Sequence, residues 1–187
     1  MLIGLAGYAR AGKDTVASVF EEHGFARLSF ASALKDELAE LEGIPREWLD
    51  DPDRKEPYRD KMVLLGAGRR AEDPDYWVDA LRPQWLEADD AVIADCRYLN
   101  ELAEVHDNDG LWFWIVRYVK DNGSEFESKP ANEEERRSFG LIQAAVESGD
   151  LPPPAETWRA ASGHPDELRY LASRWIRENV DPIAQLA

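Results

Sequence analysis

The residues with the clearest chemical meaning lie near the start of the sequence: Gly7-Tyr8-Ala9-Arg10-Ala11-Gly12-Lys13-Asp14-Thr15. Gly7 and Gly12, separated by four residues and followed by Lys13, have the spacing of a phosphate-binding loop. Glycines let backbone N–H groups turn inward on phosphate oxygens, and a helix that starts at the loop adds a dipole favourable to anions. Lys13 would reach the β- and γ-phosphates of ATP and stabilise charge during transfer. The expected phosphate-binding set is Ala9, Arg10, Ala11, Gly12, Lys13, Asp14 and Thr15. One departure stands out: the usual Ser or Thr after the lysine is Asp14, with Thr15 one step later. That weakens a direct side-chain link to Mg²⁺ and shifts the expected metal support to water or to another residue. Thr15 is then free to bond a phosphate oxygen.

A second group of residues could hold what receives the phosphate. Ala91-Val92-Ile93-Ala94 reads as a buried strand closed by Asp95, with Arg97 two residues on. Open α/β sheets present ligands at the carboxyl ends of their strands. Asp95 there could hold Mg²⁺ through water or accept a hydrogen bond from a substrate, and Arg97 offers a planar fork for phosphate oxygens. A plain Asp–Arg ion pair is the structural alternative. Lys35, Arg59, Arg69 and Arg70 lie between the second and third strands, where an acceptor site would be built, although exposed basic residues are the default. Arg117 closes the fourth strand. Arg136 and Arg137 follow Glu133-Glu134-Glu135, so they are either lid cations or partners in i,i+3 and i,i+4 pairs. His23, His106 and His164 have no metal-ligand spacing. Tyr76, Trp77, Trp112 and Trp114 are expected in the core.

The elements that must position these residues alternate. A strand spans Leu2–Ala6, a helix Lys13–Glu22, a strand Phe25–Phe30, and a helix Ala33–Glu42 capped by Ser32. A Pro-containing loop leads to helices over Arg59–Leu65 and from Asp73 or Pro74 to Leu86. Strands follow at Ala91–Asp95 and Leu111–Val116, with a helix Leu99–His106 between them. Lys120–Arg137, opening on Asp121-Asn122-Gly123, reads as a solvated excursion. A helix Ser138–Ser148, a strand Thr157–Ala161 and an amphipathic helix Pro165–Glu178 complete the chain. Strands alternating with helices imply one α/β domain over residues 1–187, with a parallel sheet covered on both faces.

Composition narrows the partners. A net charge of −16 over 187 residues argues against a nucleic-acid polymer, yet leaves room for an anionic nucleotide in a locally basic cleft. The apolar runs are too short for a membrane span. The single Cys96 and the absence of a leader pattern fit a reducing cytoplasm.

These residues together resemble the deoxynucleoside monophosphate kinases of tailed bacteriophages, within the P-loop nucleoside monophosphate kinase superfamily. The resemblance rests on Gly7–Thr15 with its Gly-Lys-Asp-Thr ending and on Leu28-Ser29-Phe30-Ala31-Ser32-Ala33-Leu34-Lys35-Asp36. It continues in Arg59–Gly66 followed by Asp75-Tyr76-Trp77-Val78, in Asp95-Cys96-Arg97-Tyr98-Leu99-Asn100-Glu101, and in Arg117. It implies a three-layer P-loop kinase fold with a five-stranded parallel sheet of order 2-3-1-4-5. It also implies an acceptor-binding helical segment over about 31–88 and a short lid over about 120–138. The implied reaction moves the γ-phosphate of Mg²⁺-ATP to a deoxynucleoside monophosphate, for phage DNA synthesis in the infected bacterial cytoplasm. Lys13, Asp95, Arg97 and Arg117 carry catalysis in that reading. Ser29, Lys35, Arg59, Arg69, Arg70 and Arg97 hold the acceptor, and Arg159, Ala160 and Ser162 lie near the adenine. Base choice, ribose against deoxyribose and a homodimer stay open. So do two rival readings: a kinase of another small phosphorylated metabolite, such as phosphomevalonate, and a regulatory nucleotide-binding module without transfer activity.

Overall fold

The computed structural model describes residues 1–121 and 124–180, with side chains except at 120, 121 and 124–126. Asn122 and Gly123, part of the expected turn, lie outside the described residues. The elements run β1 (Leu2–Ala6), α1 (Lys13–Glu22), β2 (Ala26–Leu28), α2 (Phe30–Glu42), α3 (Arg59–Glu72), α4 (Tyr76–Glu87) and β3 (Ala91–Cys96). They continue α5 (Leu99–Asp107), β4 (Leu111–Asp121), β5 (Ser124–Glu127), α6 (Glu133–Ser148), β6 (Glu156–Ala161) and α7 (Pro165–Asn179). Two 3-10 turns, Arg46–Leu49 and Glu56–Tyr58, fill the connection between α2 and α3.

The sheet places β1 between β3 and β4, with β2 beyond β3 and β6 beyond β4, all parallel. This is the expected 2-3-1-4-5 order, the fifth parallel strand being β6. The central β1 is buried along its whole length, as a run of apolar residues covered on both faces should be. Its side chains alternate between two cores. Ile3 and Leu5 join Val16, Phe20, Leu168 and Trp175, from α1 and α7. Leu2 and Ala6 join the opposite cluster, with Phe30, Trp77, Leu81, Leu102 and Phe139 from α2, α4, α5 and α6. Trp77 and Trp112 are buried, and Tyr76 and Trp114 pack against that second cluster.

Three differences from the sequence expectations bear on function. The expected strand 25–30 is shorter, and α2 starts at Phe30 with Ser29 at its N-cap, ahead of Ser32. The cause is long-range: the carboxylate of Asp95 accepts from the N–H groups of Phe30 and Ala31, which ends the strand and starts the helix. The helix expected to end at Leu65 continues to Glu72, through Gly66 and Gly68. Within the expected excursion 120–137, described residues form regular elements. β4 runs on to Asp121 and pairs antiparallel with β5, and α6 begins at Glu133, where the Asn132 side chain caps the Glu135 N–H.

Candidate active site

The phosphate loop joins the end of β1 to the start of α1. Gly7 has φ 145°, and a Cβ there would stand 2.2 Å from the Ile115 carbonyl oxygen, so only glycine fits. Gly12, at φ 106°, caps α1, and a Cβ would stand 2.4 Å from Leu168 Cδ1. The first N–H groups of α1, at Lys13, Asp14 and Thr15, have no intrahelical acceptor and face an incoming anion. Lys13 is buried and its Nζ donates to the carbonyls of Gly7 at 2.5 Å and Tyr8 at 3.1 Å. Burial, and after it the Arg97 guanidinium, hold its pKa below the ordinary lysine value, while Glu135, Asp95 and Asp14 act the other way.

Two members of the expected phosphate-binding set use their N–H groups elsewhere. Ala11 N–H donates to Tyr8 O at 3.0 Å, closing the loop's own turn. Ala9 N–H donates to Glu135 Oε1 at 2.7 Å. Glu135 is a buried carboxylate whose Oε2 accepts from Ala131 N–H at 2.6 Å, so it ties the loop to the start of α6. Asp14 is turned outward and pairs with Arg27 of β2 at 2.6 Å.

On one side of the loop a cleft of about 170 Å³ is lined by Arg10, Gly12, Thr15, Arg117, Ala160, His164 and Leu168. Arg117 Nη1 donates to Arg10 O at 3.3 Å, which ties β4 to the loop from within the strand, since β4 continues past Arg117 to Asp121. Ala160 lines this cleft; Arg159 and Ser162 are exposed and outside its lining. His164 is a lining residue that sequence reasoning did not single out.

On the other side a larger cleft of about 540 Å³ has walls from α2, α3 and the β3–α5 junction. Lys35, Arg59, Arg70, Arg97 and Asp95 line it, with Phe30, Leu34, Met62, Val63 and Tyr98. Lys35 pairs with Asp50 at 2.8 Å, and Arg59 pairs with Glu56. Arg97 is exposed at the mouth, and among the described residues no carboxylate pairs with its guanidinium; the simple Asp95–Arg97 ion pair does not form. Asp95 instead accepts from Ser29 Oγ at 2.8 Å, Phe30 N at 2.9 Å and Ala31 N at 3.0 Å. Three donors leave about one of its roughly four lone-pair positions open toward the cleft. Ser29 thus acts through Asp95 and is not itself in the lining.

Arg69 does not join this group. One residue before Arg70 on α3, it points about 100° away and is held by Glu37 at 2.6 Å, with Tyr76 bonding the other Glu37 oxygen at 2.8 Å. Arg136 lies on α6 in an i,i+3 pair with Glu133 at 3.0 Å. Arg137 borders a shallow apolar groove beside Leu99 and Leu141. Two residues outside the expected set matter here. Glu101, 2% exposed, accepts from the N–H groups of Arg97 and Tyr98. Tyr98 donates its hydroxyl to Glu134. The Glu three residues into α5 is a helix-start signal; nothing in the sequence marks Glu135 apart from its two acidic neighbours.

A phosphate loop at the end of the central strand, with a cleft on either side of it on one parallel sheet, fits a kinase of the P-loop type, an ATP-dependent phosphotransferase. The sequence profile of the phosphomevalonate kinase family matches residues 5–110, more than half of the chain, and the chain belongs to that family. No curated protein matches it at the sequence level. Shikimate kinase from Bacteroides thetaiotaomicron superposes with a TM-score of 0.50 at 11% identity, over 95% of this chain and 97% of that one. TT1252 from Thermus thermophilus gives 0.46 at 15% identity, over the same shares. The shikimate kinase likeness speaks to the fold alone.

Proposed function

We propose that this kinase transfers the γ-phosphate of ATP to the phosphate of a deoxynucleoside monophosphate, giving the diphosphate. The observation that carries the reading is the 540 Å³ cleft beside the loop, with Arg70 and Arg97 among its cations and Phe30 and Tyr98 as aromatic walls. A cleft of that size suits a mononucleotide, and guanidinium groups suit its phosphate. Three of the segments that resemble the phage enzymes, Leu28–Asp36, Arg59–Gly66 and Asp95–Glu101, contribute to the walls of this cleft, which supports a role in DNA-precursor synthesis in infected cells.

In this reading the ATP phosphates lie against the N-terminus of α1, with Lys13 leaving its carbonyl partners to meet them. Arg10 and Arg117 flank the donor cleft. The acceptor's phosphate oxygen is already anionic, so direct in-line attack needs no general base, and positioning with charge neutralisation carries the rate. Among the described residues no cluster of three or more His, Cys, Asp or Glu could cage a metal. Mg²⁺ keeps several waters and takes one or two protein oxygens beside phosphates, which fits the open position on Asp95, directly or through water. Mg²⁺ would neutralise charge on the transferring phosphoryl group.

Membership of the phosphomevalonate kinase family and the apolar wall of Leu34, Met62 and Val63 favour a second reading, an aliphatic phosphomonoester as acceptor. A coupled assay with ATP and each common ribo- and deoxyribonucleoside monophosphate, alongside phosphomevalonate, separates the two. Turnover confined to phosphomevalonate would overturn the nucleotide reading. ATP binding with no product from any acceptor would favour a regulatory module.

A further inference from the structure

Arg70 is held in the acceptor cleft in a different way from its neighbours. Lys35 and Arg59 sit in ion pairs with carboxylates that are themselves exposed. The guanidinium carbon of Arg70 lies 4.0 Å from the centroid of the Tyr98 ring. Its Nη1 donates to Gly66 O at 3.3 Å, and Glu101 Oε1 stands 3.6 Å from Nη2. The ring beneath it is fixed at both ends. Glu101 Oε2 accepts from the Tyr98 N–H at 3.0 Å and from the Arg97 N–H at 2.6 Å, while the Tyr98 hydroxyl is held by Glu134 on α6.

A planar cation stacked on an immobile ring has little rotamer freedom left to lose, and its remaining N–H donors lie in one plane. Resting on the acceptor reading above, we infer that Tyr98 and Glu101 are positioning residues that present the edge of Arg70 to the acceptor's phosphate. Glu101 sets the backbone of Arg97 as well, so one buried carboxylate orders two of the cleft's three arginines, Arg70 and Arg97. Neither Tyr98 nor Glu101 needs to touch the reacting atoms. Their contribution is the placement of a charge that an unrestrained arginine would offer only part of the time.

The test is a set of steady-state measurements on the full chain, with ATP and whichever phosphomonoester the wild type turns over. Arg70→Ala raises the acceptor KM about ten- to hundredfold, the loss of a charge-assisted hydrogen bond. Tyr98→Leu and Glu101→Gln each raise it about tenfold, leave the ATP KM unchanged, and add nothing in the Arg70→Ala background. Tyr98→Phe, which keeps the ring but releases its Glu134 end, raises the acceptor KM by less than Tyr98→Leu does. Arg70→Lys keeps a partly buried positive charge in the cleft but loses the stacking plane, and it loses about as much as Tyr98→Leu; this variant decides the matter if Tyr98→Leu does not fold. Additive effects in the double variants, or a wild-type acceptor KM in Arg70→Lys, overturn the inference while the acceptor reading stands. Failure of the wild type to phosphorylate any phosphomonoester overturns both.

Discussion

Lys13 shows how one residue's surroundings decide its use. Its Nζ rests on two loop carbonyls, so the charge is held inside the loop; in the proposed reading, phosphates replace those carbonyls. Lys13→Ala removes the only lysine of the loop, and we expect kcat to fall by about a thousandfold or more, in line with the worth of preorganised charge in phosphoryl transfer. Retention of full activity would falsify the assignment of the loop. Because its pKa is held down by burial and by Arg97, activity should decline on the alkaline side at a lower pH than a free lysine would give. Glu101 gives a second pH signature. Burial, with Asp95 nearby, pushes its carboxyl up to about 7 from an ordinary 4.5. Between those values the native state binds a proton that the unfolded chain has released. This contribution to stability is therefore full below about pH 4.5 and is lost as pH rises through about 7, amounting to a few kcal/mol. Urea unfolding at pH 5 and pH 8 should show a larger drop for the wild type than for Glu101→Gln; equal drops would remove Glu101 as the cause.

Among the elements, α1 and α2 show what the sequence can and cannot disclose. The phosphate loop, α1 and all five parallel strands are legible because their signals are local: glycine spacing, apolar runs and helical periodicity. The start of α2 is not, since it depends on Asp95, more than sixty residues further along the chain. The pattern places the start of α6 at Ser138, five residues past the observed Glu133, because Glu133, Glu134 and Glu135 look like solvent-facing charge. Only the fold reveals that Glu135 braces the phosphate loop against that helix. Arg69 and Arg70 show the same limit, as adjacent cations that a helix sends to different partners. Glu135→Ala should cost about 1–3 kcal/mol, the typical penalty for stranding buried hydrogen-bond donors. It should also speed hydrogen exchange at the Ala9 amide, and an exchange rate identical to wild type would show that the brace does not hold the loop.

At the scale of the whole molecule, 38 acidic residues stand against 22 basic ones. Exposed ion pairs such as Arg136–Glu133 and Arg169–Glu22 return little stability. The dominant long-range effect is self-repulsion of the excess acid, which salt screens. Melting temperature should therefore rise by a few degrees between 0.02 and about 0.3 M NaCl; a flat or falling trend would mean that attractive pairs outweigh the net charge. Within this acidic shell the run Glu133-Glu134-Glu135 carries a consequence for heredity as well as for energy. The first faces solvent beside Arg136, the second holds the acceptor-side tyrosine, and the third holds the phosphate loop. Three successive codons of one kind thus stand under three different selective pressures. A saturation library read out by function should pass nearly anything at 133, a narrower set at 134 and very little at 135.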